Sequence, residues 1–200
     1  MEFLQKDNYT IEDYLAIEQN AEQKCEYHNG RIVLLDETYN MAGGTITHSL
    51  VSTNTTTAMN NGLHNAKQNC LVINSDLKVY IVRENSFVYP DAMVVCQKPV
   101  FFNNTETALI NPILIVEVLS KSTEAYDRGE KFRKYRTLPS LCEYVLISTE
   151  RQLVETFYRP SEHHLWQFFA YAPPQEFVTL QSIGVDVWLY AIYQQTTVAP

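Results

Sequence analysis

One apolar run constrains the fold of this 200-residue chain more than any other stretch. Residues 112–119 read Pro-Ile-Leu-Ile-Val-Glu-Val-Leu, a nearly continuous rather than an alternating pattern. Such a strand is covered on both faces, as at the centre of an α/β sheet. Within it stands Glu117, whose charge is unfavourable to bury without a partner. The run therefore predicts a central strand carrying one carboxylate that needs a chemical explanation.

Helices and further strands are predicted around this run. The first predicted helix begins at Thr10. The second begins at Thr45 and stops near Gly62, and the third begins at Ser122 or Thr123 and ends near Leu138. Asn29-Gly30 predicts the turn of a hairpin over residues 25–35. We interpret residues 1–200 as a single domain of the α/β (α+β) class, with a mixed central sheet flanked by helices. Strands between residues 163 and 193 would complete it.

Composition limits the classes of function. The net charge of −8 argues against a general nucleic-acid coat protein, although bound cations and a local basic groove would still permit a nuclease. Neither a signal peptide nor an apolar run of membrane-spanning length is found, so a cytoplasmic protein without membrane contact is expected. The four cysteines form no CxxC pair. They indicate scattered core residues of a reduced protein rather than a zinc site.

Two carboxylates stand at the edges of apolar runs. Asp91 follows Pro90 at a break between extended segments, and Glu117 lies near the end of the central strand. Acids from neighbouring strands can converge, and a cation between them relieves their repulsion. Two carboxylates, the backbone carbonyl of Val118 and water suit Mg²⁺ or Mn²⁺. The pattern predicts a divalent-metal site on these three residues.

The helix after the central strand adds positive charge to this region. Asp127, Lys131 and Tyr135 are spaced i, i+4, i+8 and share one face, so Lys131 could reach the carboxylates and stabilise charge on a phosphate. The same helix concentrates basic residues, of which Arg128 and Lys134 are candidates for binding a phosphate backbone.

In this order the residues resemble the PD-(D/E)XK nuclease superfamily, and within it the Uma-two family of proposed restriction endonucleases. The resemblance covers about residues 10–158. Its parts, each weak alone, are residues 10–15, 25–30, His48, Pro90-Asp91, residues 117–123 and residues 127–135.

The resemblance implies a metal-dependent endonuclease acting on DNA, commonly as a homodimer. It implies metal ligands at Asp91 and Glu117, a catalytic lysine at Lys131 and an additional acid at Glu26. His48, Asp127, Ser120 and Tyr135 would line the cleft. The chain departs from the superfamily pattern at Ser120, where a lysine is expected two residues after the glutamate, so catalysis depends on where Lys131 points.

Simpler interpretations remain open for each of these residues. Asp91 could be a turn residue after proline, Glu117 a salt-bridged strand end, and Lys131 part of a solvated helix face. The alternative function is a binding or regulatory module with weak or no catalysis on the same fold.

Overall fold

The computed structural model describes residues 8–35 and 45–200. The loop predicted at Met41–Gly44 lies outside the described residues. The described strands, in chain order, are β1 (Cys25–His28), β2 (Arg31–Leu34), β3 (Leu71–Asn74), β4 (Lys78–Ile81), β5 (Ser86–Val88), β6 (Ala92–Val95), β7 (Ala108–Leu109), β8 (Leu114–Leu119), β9 (Glu143–Ser148), β10 (Val154–Tyr158), β11 (Gln167–Tyr171), β12 (Phe177–Leu180) and β13 (Val185–Trp188).

Four longer helical segments accompany the strands. They are α1 (Ile11–Asn20), α2 (Ile46–Asn65), α3 and α4 (Leu189–Tyr193). Helix α3 is our name for three consecutive turns: an α-turn at Glu124–Tyr126, a π-turn at Asp127–Lys131 and an α-turn at Phe132–Tyr135. Thr10 begins α1 with the predicted capping box, since its hydroxyl accepts from Asp13 N and the Asp13 carboxylate accepts from Thr10 N.

The large sheet has the strand order β11-β10-β9-β8-β6-β3. Strands β8 and β9 are parallel, and β6 is antiparallel to β8, so the predicted mixed sheet is confirmed. All six residues of β8 are buried, as the apolar run predicts. Leu114, Val116 and Val118 pack in the cluster that includes α2, whereas Ile115 and Leu119 pack in the cluster that includes Tyr135 of α3.

A second, five-stranded sheet has the order β2-β1-β5-β4-β7. The predicted hairpin forms β1 and β2, and both turn residues adopt the positive φ that the Asn-Gly pair favours: 46° at Asn29 and 95° at Gly30. The chain leaves this sheet at β5 and enters the large sheet at β6 through Tyr89-Pro90-Asp91. The junction between the sheets therefore lies next to β8.

The sequence predicts that α2 ends near Gly62, but the helix continues to Asn65. Its role is close packing: a Cβ at Gly62 would lie 2.3 Å from Cγ1 of the buried Val185. Valine is stiff, so it cannot easily yield. A Gly62→Ala variant is expected to lose about 1–3 kcal/mol of unfolding free energy in a denaturant titration.

Gly129 in α3 provides a matched control, because nothing lies within 4 Å of a Cβ placed there. Gly129→Ala should gain about 0.5–1 kcal/mol from reduced chain entropy. Equal stability of the two variants would contradict the packing role assigned to Gly62.

The expectation that every cysteine is reduced is wrong for two of the four. Cys70 and Cys96 flank the paired strands β3 and β6 and form a disulfide with an S–S distance of 2.01 Å. Cys25 and Cys142 are free thiols. Sequence spacing alone could not reveal the pair, because the cysteines are 26 positions apart and two other strands, β4 and β5, lie between the strands that they flank.

Removing this disulfide should loosen the edge strand β3. A Cys70→Ser, Cys96→Ser double variant is expected to lose about 3.5 kcal/mol of unfolding free energy, the loop-closure value for a separation of 26 residues. Denaturant titration with and without a reductant measures this loss. An unchanged midpoint on reduction of the wild type would contradict it.

None of the helices within residues 8–35 and 45–200 is both long and apolar enough to cross a membrane.

Candidate active site

The register of β6 and β8 places Asp91 and Glu117 opposite each other. Ala92 pairs with Val116, so Asp91 and Glu117 are the next residues along the antiparallel pair and their side chains leave the same face. Asp91 Oδ2 accepts a hydrogen bond of 2.7 Å from the backbone N–H of Val118. This bond fixes the Asp91 carboxylate beside the strand that carries Glu117.

Lys131 points into the fold and reaches Glu117. Its side chain is 8% exposed, and Nζ lies 2.9 Å from Glu117 Oε1 and 3.6 Å from Asp127 Oδ1. Nζ also donates to the backbone carbonyl of Tyr89 over 3.1 Å. The ammonium is thereby held between α3, β8 and the junction of the sheets, and it is not part of a solvated helix face.

The predicted helix face carries two further contacts. Tyr135 donates to Glu117 Oε1 over 3.0 Å, and Tyr144 of β9 donates to the backbone carbonyl of Asp127 over 2.9 Å. Lys131 and Tyr135 both contact Glu117, and Asp127 lies near the Lys131 ammonium. The helix spacing therefore brings the three side chains to one face, next to β8. Tyr135 is fully buried and acts from behind the cleft.

Glu26 enters the cluster from β1 with an oriented carboxylate. Its Oε1 accepts from the backbone N–H of Tyr89 over 3.0 Å, and its Oε2 lies 3.1 Å from His28 Nε2. Lys134 Nζ lies 2.9 Å from His28 Nδ1. An ammonium can only donate, so Nδ1 accepts and the Nε2–H of the neutral imidazole is directed at Glu26.

His48 of α2 lies on the opposite side of Asp91. Its Nε2 is 3.5 Å from Asp91 Oδ1. Burial opposes the charged form of His48, but hydrogen bonds to Asp91 and to the Val118 carbonyl outweigh it and raise the His48 pKa. An oxygen of Asp91 and the carbonyl oxygen of Val118 therefore both face the His48 ring.

These side chains surround a cleft of about 100 Å³. The predicted cleft residues His48, Asp127 and Ser120 line it, and Tyr135 does not. Ser120 does not replace the missing lysine, because its hydroxyl is engaged with Thr123 at the start of α3.

Negative charge is in excess in this cleft. Glu26, Glu117 and Asp127 are buried, and Asp91 lies beside them. Burial and the neighbouring acids raise the pKa of Glu117 well above its usual value even though Lys131 opposes the shift, and burial likewise raises the pKa of Asp127. Burial also disfavours the Lys131 ammonium, but the surrounding carboxylates raise its pKa well above normal. Lys131 is thus charged at neutral pH.

The raised pKa of Glu117 predicts a pH dependence of stability. Its contribution is full below the ordinary value of 4.5 and is lost as the pH rises through the raised value. In EDTA, the unfolding free energy of the wild type should fall more steeply as the pH rises above 4.5 than that of Glu117→Gln. Denaturant titrations across this range measure both slopes. Parallel slopes would contradict the assigned shift.

The donors at this cleft are oxygen atoms of carboxylates and of the backbone. Within the part of the chain that is described, no three His, Cys, Asp or Glu side chains are grouped so as to hold an ion. Two carboxylates on adjacent strands, one backbone carbonyl and water are the donors that Mg²⁺ or Mn²⁺ accepts. The residues present therefore fit a partly hydrated divalent cation at Asp91, Glu117 and Val118.

The two predicted nucleic-acid contacts differ in availability. Arg128 is bound on one side by Glu124, at 2.7 Å, and on the other by Glu155. Its charge is already compensated, which argues against a role in phosphate binding. Lys134 is half-buried beside His28 and has no carboxylate within ion-pair distance among the described residues.

Sequence reasoning missed His28, Tyr89 and Tyr126. His28 lies two residues after Glu26, so both side chains leave the same face of β1, and that spacing was an available signal. Tyr89 contributes through its backbone, and Tyr126 lines the cleft from α3. Their roles depend on long-range contacts that no local pattern reports.

The family model of Uma2, described as "Putative restriction endonuclease", matches residues 11–191. The chain belongs to the Uma2 family. Two relatives of this Uma2 protein come from Synechocystis sp. (strain ATCC 27184 / PCC 6803 / Kazusa). The uncharacterized protein slr1290 is 35% identical over 92% of this chain and 90% of its own length. The uncharacterized protein sll1609 is 35% identical over 69% of this chain and 73% of its own length.

A solved structure shares the fold of this Uma2 protein. It is described as a crystal structure of "a putative nuclease belonging to DUF820" from Anabaena variabilis. The TM-score is 0.70 over 92% of this chain and 97% of the other, at 17% identity. At that identity the match supports the restriction-endonuclease-like fold, and activity has to be argued from the site.

Proposed function

We propose that this Uma2 protein is a divalent-metal-dependent endonuclease that hydrolyses phosphodiester bonds of DNA. The observation that carries the proposal is the buried excess of carboxylates around Lys131. A structural ion pair needs one acid for one lysine, whereas four acids converge on this cleft. A cation would balance the remaining charge.

Asp91, Glu117 and the Val118 carbonyl would hold Mg²⁺ or Mn²⁺. Such an ion supplies Lewis-acid polarisation of a phosphoryl oxygen and lowers the pKa of water. The chain contributes the rigid placement of the ligands. Asp91 is fixed by Val118 N–H, and Glu117 is fixed by Tyr135 and Lys131.

Lys131 serves as a charged hydrogen-bond donor. Because its pKa is raised, it holds its proton at Nζ and cannot act as the general base at neutral pH. It can orient a water or stabilise the negative charge that develops on a phosphate oxygen. Its place beside Glu117 allows either role without movement of the backbone.

Glu26 adds a fourth acidic group to the cleft, from β1. Burial disfavours its charged form, but the His28 hydrogen bond and the Lys131 charge outweigh burial and lower the Glu26 pKa. Glu26 is therefore a carboxylate at neutral pH that can hold a water by accepting its proton in a hydrogen bond. His48 can fix the second oxygen of Asp91.

Incubation of the purified protein with supercoiled plasmid and Mn²⁺ or Mg²⁺ tests the proposal. Nicked or linear DNA should form with metal and not with EDTA. Asp91→Asn should abolish cleavage, whereas Asp76→Asn, at an exposed acid, should not. Uncut plasmid with both metals, together with no metal bound at millimolar concentration, would overturn the proposal. Cleavage of both strands through a homodimer remains a prediction, which size-exclusion chromatography with light scattering would test.

A further inference from the structure

A second cavity adjoins the cleft on the far side of His28. It has a volume of about 370 Å³, and its lining includes His28, Arg83, Glu84, Asn85, Arg133 and Lys134. We call this cavity the basic pocket. His28 is part of its wall and also contacts Glu26, so two hydrogen bonds, of 2.9 and 3.1 Å, lead from Lys134 to the cleft.

The basic pocket is lined by three basic side chains and one acid, Glu84. Arg133 is compensated, because its guanidinium forms two 3.1 Å bonds with the Glu84 carboxylate. Neither Arg83 nor Lys134 forms an ion pair with any residue in the described ranges, 8–35 and 45–200. In a chain of net charge −8, the pocket thus keeps two cations that no ion pair neutralises within the described residues.

The position of Lys134 makes this feature stronger than an exposed basic patch. Lys134 is half-buried, with Nζ against His28 and 5.8 Å from the centre of the Tyr126 ring. Burial lowers the pKa of this ammonium, so it lacks the full solvation of a surface lysine. A bound anion would restore the missing stabilisation.

We propose that the basic pocket binds a backbone phosphate of the DNA strand next to the scissile phosphate, through Lys134 and Arg83. The proposal rests on the proposed function, because it assumes that the strand passes the Glu26 side of the cleft. The pocket would then place the strand in register with Asp91, Glu117 and Lys131. A phosphate contact of this kind positions the backbone and does not select a base sequence.

Binding without cleavage isolates the pocket from catalysis. Fluorescence anisotropy of a labelled DNA duplex is measured in EDTA with the Glu117→Gln protein, at several salt concentrations. Each lost phosphate contact should reduce the slope of log affinity against log salt by about 0.9. Lys134→Gln and Arg83→Gln should each lose about one contact, and the double variant about two.

Lys98→Gln is the matched control. Lys98 is exposed and follows β6 at the end remote from Asp91. Its substitution therefore removes one positive charge at a site away from the pocket. Equal slopes and affinities for Lys134→Gln, Arg83→Gln and Lys98→Gln would overturn the proposal. Binding of inorganic phosphate that Lys134→Gln abolishes while DNA affinity and its salt slope stay unchanged would also overturn it, because the ligand would then be free phosphate.

The outcomes separate this proposal from the proposed function. Wild-type cleavage combined with unchanged DNA binding by the pocket variants would refute the pocket alone. Reduced slopes in the pocket variants, with a wild type that cleaves no DNA, would support the pocket and refute the nuclease. A Glu117→Gln protein that binds no DNA at low salt would refute the pocket.

Discussion

Replacing Glu117 with glutamine is expected to abolish metal binding and to reduce DNA cleavage about a thousandfold. The substitution keeps the shape of the side chain, and Tyr135 can still donate to its oxygen. It removes the charge that a divalent cation requires between β6 and β8. Calorimetric titration with Mn²⁺ and a plasmid-cleavage time course measure the two losses.

Glu143→Gln is the control for this variant. Glu143 is fully buried in the neighbouring strand β9, and its carboxylate is bound by Ser182 and Gln181 outside the cleft. The same change there should leave metal binding and cleavage intact. Equal loss of activity in both variants would show that burial of a strand glutamate, rather than the site, controls the measurement.

Lys131→Met is expected to reduce cleavage about 100- to 1,000-fold while metal binding is retained. The ammonium occupies Glu117 Oε1 at 2.9 Å, so its removal leaves the carboxylates more available to a cation. The rate falls because the charge opposite the phosphate is lost. Stability without metal should also fall, since Glu117 then lacks its partner, and Mg²⁺ should restore part of it.

Lys78→Met provides the comparison for the lysine variant. Lys78 is also buried and ion-paired, to Glu18, but it lies in β4 outside the cleft. The Lys78→Met protein should have a lower unfolding free energy than the wild type, but the same cleavage rate per folded molecule. If Lys131→Met cleaves DNA as fast as the wild type, Lys131 has only a structural role.

The sequence could predict the central strand and the convergence of the two carboxylates. The apolar run around Glu117 is typical of a strand covered on both faces, and Asp91 directly precedes the strand that pairs with it. The spacing of Asp127, Lys131 and Tyr135 likewise follows from helix geometry alone. The direction of Lys131 does not, because it depends on how α3 packs against β8.

Other parts of the site depend on contacts between distant segments. The contact of Glu26 with Tyr89 joins residues 63 apart, and that of Lys134 with His28 joins residues 106 apart. The disulfide and the close packing at Gly62 are of the same kind, since each is set by the pairing or packing of two remote elements. Local patterns identify residue types but not these partners.

The proposed activity depends on a divalent cation that Asp91 and Glu117 hold together. Anomalous diffraction from a crystal of the protein soaked in Mn²⁺ tests it most directly. One peak is expected within about 2.5 Å of a carboxylate oxygen of each residue and of the Val118 carbonyl. A fully soaked crystal with no peak between the two carboxylates, and with Lys131 still bound to Glu117, would contradict it.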